Sequence, residues 1–256
     1  MKCIAIIPAR MKSSRFPGKP LKKILGIPML EHVYKRANMF FDKKNLFIAT
    51  CDKEIKKFSQ NIGANCIMTS NKHLRASDRV KEALLKIEKI KKIRYDLIIL
   101  LQGDEPLINP NMLKKSTEIF FKDSSVNIVN LMSKIDNKKE IDDYNEVKVI
   151  YDNDMNAINF SRLPMPFNHS NVKICHYKQV CVIPFRRNFL VKYSKMKPTK
   201  YEICESIDMM RVIENGYKIK MIEIKENVIS VDTKKDLQKA SKLLVQDKYT
   251  KKYLQL

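Results

Sequence analysis

The chain has 256 residues, enough to bury one sizeable α/β core, and its hydrophobic 44% is scattered in short runs. None approaches the roughly 20 apolar residues that span a bilayer, which excludes a bundle of membrane helices. The formal charge of +22 comes from 50 basic and 28 acidic side chains spread through nearly every segment, which argues against a nucleic-acid footprint and fits a lysine-rich solvated surface.

Apolar runs bounded by turn signals alternate with amphipathic patterns, the rhythm of βαβ units and a largely parallel sheet. The pattern predicts a first strand at Cys3–Ile7 and a helix at Met29–Met39, where Leu30, Val33, Tyr34 and Ala37 share a face. A strand at Asn45–Thr50, a helix at Lys53–Ile62 and a strand at Cys66–Thr69 follow. After a loop at Ser70–Ala76 come a helix from Asp78 to about Ile90 and the most apolar strand, Leu97–Leu101, the central one. A helix beyond Pro110, reaching to about Phe121, and a strand near Asn127–Met132 precede a stretch of weak periodicity, Lys134–Ile174. Strands are expected at Val147–Tyr151 and Val180–Pro184, then one helix over Glu202–Asn215 closed by Gly216, and a strand at Lys218–Ile222. Val228–Val231 is extended and leads into Asp232 and Thr233, either of which suits the N-cap of a last helix at Lys234–Leu244. The expected organisation is one domain over 1–245 with a loosely held tail at 246–256.

Six cysteines without a C-x-x-C pair and four histidines without ligand spacing indicate neither a disulfide framework nor a zinc site, and fit a reducing cytoplasm. The N-terminal apolar stretch is too short for a signal peptide.

The chemistry gathers after the strands. The first strand runs into a loop carrying Arg10, Lys12, Arg15, Gly18 and Lys19. Cations at the C-terminal end of a strand suit a polyphosphate, because ligands of open α/β sheets bind there. Lys19 offers a point charge, Arg10 and Arg15 planar forks, and Gly18 room for backbone approach. Asp104 follows the central strand and Asp232 follows the last one, Val228–Val231, both in short polar loops whose oxygens could hold Mg2+ together with substrate phosphates. Taken alone, an Asp in such a loop is more often a turn or helix-cap residue than a metal ligand, and it is the company of the basic loop that tips the reading.

The run Pro8-Ala9-Arg10…Ser14-Arg15-Phe16-Pro17-Gly18-Lys19-Pro20-Leu21 resembles the signature of the 3-deoxy-manno-octulosonate (KDO) cytidylyltransferases, the CMP-KDO synthetase family. Gln102-Gly103-Asp104-Glu105-Pro106, Asn145-Glu146-Val147-Lys148-Val149, Phe160-Ser161-Arg162 and Val231-Asp232-Thr233 agree with it in order. The resemblance implies a Rossmann-like (GT-A type) α/β fold: a mixed, mostly parallel sheet sandwiched by helices, with a small antiparallel extension for dimerisation and sugar binding. It implies a nucleotide-binding part over about 1–125, a sugar-binding part over about 126–225, and a homodimer. The implied reaction joins CMP from CTP to the anomeric hydroxyl of an acidic sugar and releases pyrophosphate, for surface glycans. By the same resemblance Arg10, Arg15 and Lys19 grip phosphates, Asp104 and Asp232 hold Mg2+, and Pro8, Ala9, His73, Ser77, Arg79 and Gln102 contact the nucleotide. Glu105 is a weaker candidate beside the metal. Gln102, Arg162, Gln179, Glu202, Glu205 and Asp208 are the candidates for the sugar, Arg162 as a fork for its carboxylate.

Three segments depart from the family, one of them Lys178-Gln179-Val180-Cys181-Val182-Ile183, where the family has Lys-His-x-Gly-x-Tyr. His73-Leu74-Arg75-Ala76-Ser77-Asp78-Arg79 carries Arg75 and Ala76 where Ser and Gly are common, and Met209 stands where the family has an amide. A site lacking that amide should accept a differently substituted sugar, because buried polar groups left unpaired are what discriminate such ligands. KDO leads among acceptors; an acylneuraminate or an amino-ulosonic acid, a catalytically silent nucleotide-binding homologue and a basic RNA-binding module remain as alternatives.

Overall fold

A computed structural model describes residues 1–13, 15–226 and 228–254. Ser14 of the basic loop and the last two residues of the expected tail lie outside the described residues. The chain opens with β1 (Cys3–Ala9), a long loop, the small hairpin of β2 (Lys23–Ile24) and β3 (Ile27–Pro28), and α1 (Met29–Asn38). Next come β4 (Leu46–Thr50), α2 (Lys53–Asn61), β5 (Asn65–Met68), α3 (Ala76–Lys91), β6 (Leu97–Leu101) and α4 (Pro110–Lys122). Then follow β7 (Val129–Ile135), α5 (Lys138–Ile141), β8 (Lys148–Tyr151), β9 (Ala157–Ser161), β10 (His176–Val180), β11 (Val182–Arg186) and α6 (Arg187–Tyr193). The last elements are α7 (Lys200–Glu205), α8 (Met210–Glu214), β12 (Lys220–Ile224), α9 (Lys234–Gln246) and α10 (Lys248–Leu254). Among the described residues no helix is long and apolar enough to cross a membrane.

These elements form two compact units, Met1–Lys114 with Val228–Leu256, and Lys115–Asn227. In the first, β6, β1, β4 and β5 lie side by side in that order, all parallel. Ile4–Ile7, Leu46–Thr50 and Leu97–Leu101 are buried throughout, the unbroken apolar signature of strands covered on both faces. The steps β1 to β4 to β5 move one way, and α3 then carries the chain back across the sheet to β6, touching β5, β4, β1 and β6 on the way. Right-handed connections therefore put α1 and α2 on one face and α3 on the other. The strand order reverses between β1 and β6, so the loops leaving those two strands flank a switch-point crevice.

The second unit carries a mixed sheet in the order β12-β7-β10-β8-β9, with β12 parallel to β7 and the other pairings antiparallel. Residues 155–157, just ahead of and entering β9, reach back to β12: the Met221 amide donates to Met155 and the Ala157 amide to Ile219. The two edges of the sheet thus meet, which removes exposed edges. β9, in the weakly periodic stretch, and β10, just beyond it, were not foreseen, because strands paired within a nearly closed sheet need no clean alternation.

The expected single helix over Glu202–Asn215 is instead two short helices. Ser206 adopts a left-handed conformation (φ 55°) and the chain turns there. The physical reason is the buried pair Glu202–Arg211, bonded at 2.7 and 2.5 Å. Nine residues of straight helix would hold these side chains about 13 Å apart along the axis. Val228–Val231 forms no strand, and Lys248–Leu254 forms a helix where a tail was expected.

α10 is held by buried polar anchors on α1. The Arg36 guanidinium, fully buried, donates to the Ile108 carbonyl at 2.9 Å, to the Thr250 hydroxyl at 2.9 Å and to the Asp247 carboxylate. His32, also fully buried, donates from Nε2 to the Ile24 carbonyl at 2.8 Å, so its Nδ1 accepts from the Tyr253 hydroxyl at 2.6 Å. Removing one partner from a buried ion pair leaves the other uncompensated, so Arg36→Ala should cost about 3–5 kcal/mol in urea unfolding; a loss under about 1 kcal/mol would contradict this role.

Burial pushes the His32 imidazole down to about 4, with Arg36 and Lys35 adding to the effect against the Ile24 carbonyl. The unfolded chain therefore takes up this proton first as pH falls below the ordinary value of 6.5. His32 should contribute a loss of at most about 3 kcal/mol between about pH 6.5 and about 4, and none further below. Thermal unfolding of His32→Gln should show a flatter Tm profile across that window than wild type; identical slopes would contradict the assignment.

Candidate active site

The loop after β1 is built to present cations. Its far end is fastened to its start, because the Gly18 amide donates to the Met11 carbonyl at 3.0 Å. Gly18 has φ 71°, a left-handed conformation that an L side chain rarely takes, and it begins the short helical turn Lys19–Leu21. Phe16 is buried in an apolar cluster with Ile24, Met29, Leu107, Ile229, Val231, Ala240 and Leu244, which ties the basic loop to α9. The Met11 amide donates to the Asp52 carboxylate at 2.8 Å. Asp52 sits at the N-cap of α2 but makes no side-chain cap bond, because its carboxylate is spent on the basic loop. Sequence reasoning missed this residue; the signal was an acid placed directly after a buried strand.

Asp104 and Asp232 are brought together with this loop. Lys19 Nζ lies 2.6 Å from Asp104 Oδ2 and 3.1 Å from Asp232 Oδ1, across 85 and 213 residues of sequence. Arg15 adds a 3.0 Å contact to the same Asp232 oxygen. The Lys19 side chain is only 12% exposed. Burial works against its charge, yet the two carboxylates outweigh that and raise its pKa above the ordinary lysine value.

The two acid-bearing loops are laced together. The Val231 amide donates to the Asp104 carbonyl at 3.0 Å, and the Ser230 hydroxyl donates to the carboxylate of Glu105, which is buried. Thr233 forms a capping box with Asp236 at the start of α9, leaving Asp232 to face the lysine. Gly103 sits where space is tight: a Cβ there would meet the Pro8 carbonyl at 3.2 Å and Leu30 at 3.3 Å. The backbone of β1 thus approaches the Asp104 loop closely enough that a side chain there would press neighbouring atoms aside by a few tenths of an ångström. Among the described residues no group of three or more His, Cys, Asp or Glu gathers to hold a metal, so a cation seated here would have two protein carboxylates and take its remaining ligands from substrate and water.

Other candidates of this unit have structural partners. Pro8 and Ala9 are buried at the end of β1, Arg10 is exposed, and Gln102 is half-buried with its carbonyl accepting from the Glu105 amide at 3.3 Å. His73 pairs with Glu82, whose carboxyl is held down at about 2 by Lys86, the Ser70 amide and His73, against the opposing effect of burial. Arg79 is buried and donates to the Thr69 hydroxyl at 2.6 Å and the Ser70 carbonyl at 3.3 Å, shaping the loop after β5; Ser77 is buried beside the start of α3.

In the second unit, Arg162 donates to the carbonyls of Glu205 at 2.7 Å, Tyr144 at 2.8 Å and Ser206 at 3.5 Å. Glu205 accepts from the Ser161 hydroxyl and the Arg162 amide, Glu202 is taken up by Arg211, and the Gln179 amide donates to Asn130 at 2.6 Å. The Asp208 carbonyl accepts from the Tyr193 hydroxyl at 3.0 Å. Lys148, unforeseen and fully buried, donates to the carbonyls of Asp143, Glu146 and Arg162, and burial lowers its pKa. Met209 is buried as well.

The cytidylyltransferase family profile matches residues 4–222. A 3-deoxy-manno-octulosonate cytidylyltransferase of Fusobacterium nucleatum subsp. nucleatum is 41% identical over 93% of this chain and 95% of its own length. An 8-amino-3,8-dideoxy-manno-octulosonate cytidylyltransferase of Shewanella sp. (strain ANA-3) is 36% identical over 96% of this chain and 100% of its own. The solved structure of a CMP:2-keto-3-deoxy-manno-octonic acid synthetase complexed with CTP superposes with a TM-score of 0.85 at 32% identity, covering 96% of this chain and 99% of that one. The chain belongs to the cytidylyltransferase family, in its 3-deoxy-manno-octulosonate (CMP-KDO synthetase) branch, and is a nucleotidyltransferase.

Proposed function

We propose that this enzyme transfers CMP from CTP to the anomeric hydroxyl of a 3-deoxy-ulosonic acid, with KDO the leading acceptor, using Mg2+ and releasing pyrophosphate. The observation that carries the reading is the Lys19 ammonium held between Asp104 and Asp232, with Arg15 beside it. Two carboxylate oxygens within hydrogen-bond distance of one nitrogen are within reach of one small cation. As hard oxygen donors, and only two of them, they suit Mg2+, which keeps waters and substrate phosphates among its ligands. Asp104 and Asp232 would hold the ion, which when bound neutralises charge on phosphoryl oxygens.

In the transfer, the acceptor's anomeric oxygen bonds to the α-phosphorus as the bond to the pyrophosphate oxygen breaks, and the hydroxyl proton passes to solvent. The nucleophile is the substrate's, so no protein nucleophile is needed. Lys19, Arg15 and the exposed Arg10 are the cations available to neutralise the departing pyrophosphate. The guanidinium of Arg162 is engaged by backbone carbonyls, so its contribution is to shape the loop after β9, and the carboxylate fork expected of it would require those bonds to be given up. A homodimer, a cytoplasmic setting, to which six free cysteines are suited, and a place in lipopolysaccharide or other surface-glycan synthesis complete the reading.

A second reading keeps the chemistry and changes the acceptor to an 8-amino ulosonic acid; Met209, in place of the family amide, and the 36% identity to a relative named for that sugar favour keeping it. Purified protein should release pyrophosphate with CTP, Mg2+ and either KDO or its 8-amino analogue, and not with ATP, GTP or UTP. Turnover with an aldose 1-phosphate in place of both acids would overturn the proposal. Asp104→Asn should lower kcat by on the order of 10^2 to 10^3 while leaving the thermal transition in place; a wild-type rate would remove Asp104 from the site.

A further inference from the structure

The Lys19 ammonium occupies the point on which Asp104 and Asp232 converge, and this has a consequence for metal binding that rests on the reading of those acids as the metal seat. Two carboxylates, one ammonium and one guanidinium sum to zero charge, and Asp232 Oδ1 serves both Lys19 and Arg15. A divalent ion arriving alone meets a balanced site and must displace Lys19 from two charge-assisted hydrogen bonds. A triphosphate changes the balance, since its oxygens offer Lys19 and Arg15 new partners and release the carboxylates. We infer that Lys19 is a built-in placeholder cation, which keeps metal off Asp104 and Asp232 until a nucleoside triphosphate draws its side chain away.

The exchange needs only side-chain motion. The Lys19 amide donates to the Phe16 carbonyl at 3.1 Å and Gly18 is pinned to Met11, so the backbone beneath the lysine is fixed while its four-carbon stem can swing. The bond between the Val231 amide and the Asp104 carbonyl keeps the two acids spaced when the ammonium leaves. Metal and triphosphate then bind with positive coupling, each raising the other's affinity by the same factor.

Mn2+ alone, titrated without nucleotide and followed by loss of the free-ion electron paramagnetic resonance signal, tests this. Lys19→Met should bind Mn2+ roughly tenfold or more tightly than wild type, within the usual range of such couplings. Adding Asp104→Asn should abolish the gain, and Lys19→Arg, which keeps a cation, should behave as wild type. Lys19→Gln replaces the Met variant if circular dichroism shows the latter unfolded. Equal Mn2+ affinity in wild type and Lys19→Met, removed from both by Asp104→Asn, would overturn the placeholder and leave the metal seat standing. Mn2+ binding that Asp104→Asn alters in neither protein would overturn both.

Discussion

One charge cluster organises the first unit. Lys19 joins acids that are 85 and 213 residues away in the chain, and nearly everything around it serves to hold the three at bonding distance. Parallel strands bring β1 and β6 side by side, so the loops leaving them share one end of the sheet. Gly103 lets the Asp104 loop lie against the β1 backbone. Phe16, Val231 and Leu244 in one apolar cluster bring the basic loop to the segment that carries Asp232. The cost of desolvating a lysine is met by two carboxylates, and the cost of desolvating those is met by Lys19 and Arg15. Removing any one member leaves an uncompensated charge, so the cluster acts as a unit.

The second unit has a different character. Its buried charges, Glu202 with Arg211, Lys178 with Glu140 and Glu146, and Lys148 among three carbonyls, hold turns and helix ends in unusual paths. Such networks specify one geometry for a segment that hydrophobic patterning alone leaves loose. Several residues expected to meet a sugar are members of these networks, and their influence on a ligand passes through the backbone they position.

The legibility of the sequence follows the same division. Leu97–Leu101 was predicted to the residue, and Met29, Lys53 and Lys234 opened their helices as expected, because buried parallel strands and amphipathic helices write strong local periods. β9, β10 and the break at Ser206 were not legible: the strands are decided by pairing with partners elsewhere in the sheet, and the break by a buried ion pair, Glu202 with Arg211, that apolar periodicity does not register. The C-terminal segment looked like a lysine-rich tail, yet Asp247, Thr250 and Tyr253 recur on one side to meet Arg36 and His32. At the site, Lys19, Asp104 and Asp232 were named from residue types at strand ends and from a family signature. What the residues could not tell was that Lys19 contacts both acids directly, or that Asp52 braces the loop.

The central claim is that Lys19, Asp104 and Asp232 together form the seat of a triphosphate and its metal. A crystal structure of the protein with CTP and Mg2+ tests it most directly. The account predicts electron density for the ion touching Asp104 and Asp232, with Lys19 moved onto phosphate oxygens. A triphosphate bound elsewhere, with Lys19 still bridging the two acids, would contradict it.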